Sequence, residues 1–258
     1  MACTTPGSSS CSLPSPTAAS ALREADLNAL RRAATHCITT LDVLRRKWQI
    51  HSEAGRTALS GCVNARLRFA HAEAGEWPAE FRAVRSGVAL RALHQQREAE
   101  ENVGPVLIAL ETVVGEMRSA NEALRVKAEQ VMSGGSRHPH PLLASELLLH
   151  GESIERIISR TASVVRAYER ELHLRRTIAV ELAGVAATGI TGEEADESQP
   201  PLPPRKCQGP GWDVSARLLL SAWVLEPNIE GEQHELVFDS LAAEPSVVVG
   251  GSGGGRRR

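Results

Sequence analysis

Aromatic side chains are nearly missing from this chain: Phe, Trp and Tyr make up 3% of 258 residues, although 42% are hydrophobic. So few large rings exclude a thick globular core and suit helices packed through narrow seams. Lysine is scarce too, with only Lys47, Lys127 and Lys206 among 29 basic residues. The formal charge of −2 gives no overall drive toward nucleic acid. The five cysteines, Cys3, Cys11, Cys37, Cys62 and Cys207, are odd in number and form no CxxC pair. That argues for reduced thiols in an intracellular protein and against a disulfide framework or a zinc site. No apolar run approaches the roughly 20 residues that span a bilayer. Met1–Ser20 also lacks the apolar core of a signal peptide.

Catalytic patterns are equally missing. There is no HExxH, no GxSxG and no Walker loop. His138 and His140 flank Pro139 in a loop that offers no further metal ligands. Gly250–Gly255 opens no helix, so it cannot cradle a phosphate. The expectation is a noncatalytic protein with no cofactor, no metal, no small-molecule substrate, no membrane span and no direct nucleic-acid contact.

What is present is helical periodicity. Proline does not occur from Ala21 to Trp77, and Leu30, Ala34, Cys37, Leu41, Leu44 and Trp48 alternate steps of four and three. That is a heptad seam. It continues through His51, Gly55, Ala58 and Cys62, small or polar residues, with a bend expected near Gly55 or Gly61. Pro78 opens a second helix reaching about Glu101. Gly104-Pro105 starts a third, with Val106, Leu110, Val113, Met117, Ala120 and Leu124 in the cleanest register of the chain. After the loop Arg137–Pro141, a last long helix is expected from Leu142 to Leu182, seamed by Ile154, Ile158, Thr161, Val165 and Tyr168.

The fold class is therefore all-α: long amphipathic helices in a bundle or coiled coil, with disordered termini and a disordered linker. Residues 1–20 form a Ser/Thr/Pro-rich tail and 21–183 the long-helix region. Residues 184–211 form a linker with Glu193, Glu194, Asp196 and Glu197 followed by PPLPPRK, and 212–244 a pair of short helices split by Pro227. Residues 245–258 are a flexible Gly/Arg tail. No sheet is expected. Seams this long exceed what one chain so poor in aromatics can cover, so a helical protein partner is expected, with self-association when it is absent.

Alternating charges at Glu169, Arg170, Glu171, Arg175 and Arg176 suit a solvated or interfacial helix face. Trp48, Tyr168, Leu172, Arg175, Arg176 and Trp223 combine aromatic anchors, arginines and an apolar face, and are the candidate partner-binding residues. The apolar members would dock the Leu218–Leu225 helix onto the long helix and leave the arginines to a partner. Pro200, Pro203 and Arg205 match a polyproline ligand pattern. Thr5-Pro6 and Ser15-Pro16 are minimal proline-directed kinase sites.

Two stretches carry a resemblance. In Tyr168–Ala183 the carrying residues are Tyr168, Glu171-Leu172, Leu174, Arg176-Thr177, Ala179 and Glu181-Leu182-Ala183. In Leu218–Glu244 they are Leu218, Leu220, Trp223, Pro227 and the Leu236–Leu241 segment, and Leu44, Lys47-Trp48 and Gly55 add an N-terminal LxxKW helix. Together these resemble the cyclin-dependent kinase 2-interacting protein family over about half the chain. The resemblance implies a noncatalytic, nuclear adaptor that links cell-cycle kinases at replication origins and acts in checkpoint signalling. It also implies a coiled-coil partner on an AAA ATPase serving replisome turnover and large ribosomal subunit maturation. From the heptads alone, a structural coiled-coil component of the cytoskeleton or kinetochore fits equally.

Overall fold

The computed structural model describes residues 16–133, 147–149, 152–184 and 212–229. The tail before Pro16, the RHPHP loop, the acidic and Pro-rich linker, the second short helix and the Gly/Arg tail lie outside the described residues. Among the described residues four helices carry the fold: α1 (Pro16–Ala74), α2 (Arg82–Ser133), α3 (Ile154–Ala183) and α4 (Trp212–Leu225). A one-turn 3-10 helix, Ala79–Phe81, leads into α2. Two short antiparallel strands, β1 (Leu147–Leu149) and β2 (Glu152–Ser153), pair Leu147 with Ser153 and Leu149 with Glu152 just before α3. The class is all-α, apart from this ribbon that the sequence reading did not anticipate.

α1 starts earlier than expected, at Pro16, because proline suits the first helical turn and the following Ala-rich stretch favours helix. α2 runs unbroken through Gly104-Pro105, where two helices were expected. Pro105 removes the N–H that would reach the Glu101 carbonyl, which costs a helix interior about 3 kcal/mol. Both residues are exposed, so water can satisfy that carbonyl, while Val103 and Leu110 on the opposite face are fully buried. α3 starts at Ile154 instead of Leu142. Ser153 is extended and its hydroxyl accepts from the Arg156 N–H at 3.4 Å, with Glu155 in the first turn. Gly184 closes α3 at φ 68°, the left-handed conformation glycine adopts without a steric penalty, and its N–H bonds the Val180 carbonyl at 3.0 Å.

α1 and α2 form a long antiparallel hairpin. Lys47–Glu116 (3.2 Å), Arg66–Glu100 (3.1 Å) and Arg68–Gln95 (2.9 Å) show residue numbers rising on one helix as they fall on the other. α3 lies antiparallel to α2 through Thr161–Asn121 (2.7 Å), Glu169–Arg118 (2.6 Å) and Arg176–Glu111 (2.8 Å). α4 packs on α1 and α3 and runs antiparallel to α1. Its Trp212 ring faces Arg66 at 5.9 Å, and Trp223 lies beside Ser52.

The two heptad seams are buried within the chain. Leu30, Ala34, Cys37, Leu41, Leu44 and Trp48 are buried, as are Leu110, Val113, Met117 and Leu124, within one core. They cover one another across the hairpin, so the seams that were expected to lie exposed are buried within the chain itself. The α1 register also shifts after Trp48. Gly55 and Cys62 are buried as expected, but Leu59 is buried where Ala58 is only partly so, and Ser52 in place of His51 reaches the interior contacts. Steps of four from Leu44 to Trp48 and again to Ser52 break the heptad, as an inserted stutter does. Gly55 and Gly61 both sit within a continuous helix.

Candidate functional site

The register shift places Trp48, Ser52 and Gly55 on one face of α1, under the crossing of α3 and α4. Arg175 of α3 enters this space with no exposed surface. Its guanidinium lies between the indoles of Trp48, 5.0 Å from the ring centroid, and Trp223, 4.4 Å away. Stacking between two aromatic faces uses the planarity and weak hydration of guanidinium, which lysine does not share.

Each polar edge of the guanidinium is engaged. Nε donates to Glu171 Oε1 at 3.3 Å, Nη1 to Ser52 Oγ at 2.7 Å, and Nη2 to the Trp223 carbonyl at 3.2 Å and to Glu226 Oε1. Glu226 Oε1 also accepts from Trp48 Nε1 (3.1 Å) and Ser52 Oγ (2.9 Å). Trp223 Nε1 donates to the Ser52 carbonyl at 2.9 Å. Glu171 Oε2 accepts from the Asn228 N–H (3.2 Å) and Nδ2 (3.1 Å), which fixes the chain just past α4. A buried cation thus meets two carboxylates, and the second oxygen of Glu171 is satisfied too.

Glu226 is the one non-glycine residue with positive φ, 46°, among the described residues. It stands just past the end of α4 and before Pro227, where a glycine would meet no steric penalty. Its carboxylate bonds to Arg175, Trp48 and Ser52 offset that backbone cost. Burial pulls the Arg175 guanidinium below the ordinary arginine value, and Glu226 and Glu171 oppose the shift. Tyr168 stands edge-on to Trp48, with centroids 5.1 Å apart and planes at 80°. Burial, with Glu226 nearby, pushes its phenol well above 10.

Five of the six candidate residues meet here or beside it: Trp48, Tyr168, Leu172, Arg175 and Trp223 are all buried. They are closed off inside the chain's own bundle, so the expectation that Arg175 remains available to a partner is corrected. Its charge is used up by Glu171 and Glu226, which enclose it. Arg176 stands apart, half-exposed, bridging α3 to Glu111 of α2 at 2.8 Å. Glu171 and Arg175 pair as their spacing suggests, but in the interior and not on a solvated face. The sequence reading did not single out Ser52, Glu226 or Asn228. The available signal was the carboxylate of Glu226 between Trp223 and Pro227, a helix-stopping residue beside an anchor.

The arrangement is a lock that ties α1, α3 and the end of α4 together, and its chemistry is charge-assisted hydrogen bonding. Among the described residues, no three His, Cys, Asp or Glu side chains converge as ligands for a metal ion. No helix among them is long and apolar enough to cross a membrane. Comparison with known proteins finds no family model and no curated protein that matches the chain.

A more open feature lies along the hairpin. A groove of about 860 Å³ between α1 and α2 is lined by Ala33, Thr40, Thr112, Gly115, Ser119 and Ala123, with His36, Glu116 and Arg118 at its polar edge. Small side chains at that spacing allow another helix to approach closely.

Proposed function

We propose that this chain is a noncatalytic helical adaptor subunit related to the cyclin-dependent kinase 2-interacting protein family. In this reading it acts in the nucleus, in DNA replication and checkpoint signalling. It joins a coiled-coil partner on an AAA-ATPase assembly that serves replisome turnover and large ribosomal subunit maturation, and it contacts cell-cycle kinases. The observation that carries the reading is the convergence of the resembling segments. Trp48 and Gly55, Tyr168 and Glu171-Leu172, and Trp223 come from three separate stretches and meet at the Arg175 lock. In this reading the lock builds a rigid scaffold, and the groove lined by Gly115, Ser119 and Ala123 receives the partner helix. Affinity purification of the full chain from cells, followed by mass spectrometry, tests this. Recovery of an AAA ATPase with a small coiled-coil protein is the expected result. Recovery of tubulin or kinetochore components instead would favour the structural coiled-coil alternative and overturn the adaptor reading.

A further inference from the structure

The closed end of the α1–α2 hairpin has a different character from the rest of the bundle. α3 ends at Ala183, and Trp212 at the start of α4 faces Arg66, so α1 and α2 extend past the level of both shorter helices. There Phe81 (49% exposed), Val84 (53%) and Val88 (38%) recur at three- and four-residue steps, forming one apolar ridge. Beside the ridge is a groove of about 450 Å³, walled by Arg68 of α1 and by Val84, Gly87, Val88, Arg91 and Gln95 of α2. From Arg82 to Arg97, α2 carries four arginines and no acidic residue. Arg68 Nη1 donates to Gln95 Oε1 at 2.9 Å, which holds its guanidinium at the groove edge. Glu73, Glu76 and Glu80 lie at the turn and do not line the groove.

We infer that this groove is a docking site for an acidic amphipathic helix supplied by a separate protein. Apolar side chains one turn apart would cover Val84 and Val88, and flanking carboxylates would pair with Arg68 and Arg91. An unpartnered apolar ridge between cationic walls matches an acidic amphipathic helix in both shape and charge. A nucleic-acid backbone would neutralise the arginines but leave Phe81 and Val84 uncovered. An anionic lipid surface would bring its headgroups against Glu73, Glu76 and Glu80 at the same end. The inference stands independently of the adaptor reading, since it concerns the other end of the hairpin.

The test is selection from a phage-displayed library of helical peptides, with leucine fixed at i, i+4 and i+7 and randomised flanks, on the full-length chain. Selected flanks should be enriched in Asp and Glu. The best peptide, made synthetically and followed by fluorescence anisotropy, should bind at least about tenfold more weakly to the Arg68→Glu/Arg91→Glu variant. Val88→Asp should weaken it comparably, and a lysine-flanked version should not bind. All three positions are exposed, so both variants should keep the wild-type circular-dichroism melt. Neutral or basic flanks, or equal binding to the variants, would overturn the proposal. So would phosphatidylserine vesicles or a short DNA duplex binding as tightly and losing affinity on the same variants.

Discussion

Gly55→Ala should destabilise the protein, although alanine is the better helix former. Gly55 lies in the interior of α1, where exchange to alanine ordinarily gains about 1 kcal/mol. Here an added Cβ would overlap Cζ2 of Trp223 and stand 3.1 Å from Cε2 and Cη2. The ring cannot slide aside, because Nε1 is bonded to the Ser52 carbonyl at 2.9 Å and one face carries Arg175 at 4.4 Å. Ejecting the ring would forfeit up to about 3 kcal/mol of burial and about 1 kcal/mol of hydrogen bonding. Against the helix gain, the net loss is about 3 kcal/mol, at the upper end of ordinary overpacking. Urea melts followed at 222 nm measure this directly. In a Trp223→Leu background the clash is gone, so the same substitution should change sign and stabilise by about 1 kcal/mol. Stabilisation by Gly55→Ala in the wild-type chain would mean that Trp223 does not occupy the notch.

Three further outcomes follow from the same contacts. Arg175→Ala should cost about 3–5 kcal/mol by leaving the buried Glu171 and the partly buried Glu226 without their cation, whereas Arg176→Ala at the half-exposed Glu111 bridge should cost less than about 1 kcal/mol; equal costs in urea melts would contradict the burial contrast. Tyr168 is the only tyrosine in the chain, so absorbance at 295 nm reports it alone. Its raised pKa contributes stability that is complete below about pH 10 and is lost as pH rises toward the folded value, because only the unfolded chain ionises freely. Phenolate should therefore appear together with the loss of helicity, and titration near pH 10 with the helices intact would oppose this. Burial pushes the Cys37 thiol up to about 12 and Cys62 up to about 11, so both should react with a thiol-specific disulfide reagent only after unfolding.

The helices were legible because their periodicity is strong. Leu30 through Trp48 and Val106 through Leu124 mark buried faces in both sequence and structure. Their boundaries were less legible. Pro105 reads as a helix start, yet tertiary burial of Val103 and Leu110 carries α2 through it. The Leu147–Leu149 run fits a helix by composition, but it pairs as a strand with Glu152–Ser153, and α3 begins only behind the Ser153 cap. That the seams cover each other depends on the hairpin, which neither helix specifies alone. The lock was half visible. The Glu171–Arg175 spacing and the weight of Trp48 and Trp223 stood out, but not that they converge. Alternating charge on α3 argued for a solvated face, and the partner that pulls Arg175 inward, Glu226, lies 51 residues away.

Amide hydrogen exchange of the intact chain, read by mass spectrometry across α4, asks whether Arg175 fastens α4 to α1 and α3. A free helix of 14 residues is marginal in water and exchanges almost as fast as coil. Docked by Trp223, Glu226 and Asn228, α4 should be protected by at least about a hundredfold. In Arg175→Ala that protection should vanish, while the Leu30–Trp48 seam against α2 keeps its own. Coil-like exchange of α4 in the wild-type chain, or unchanged protection in Arg175→Ala, would show that the three segments are not held together by this residue.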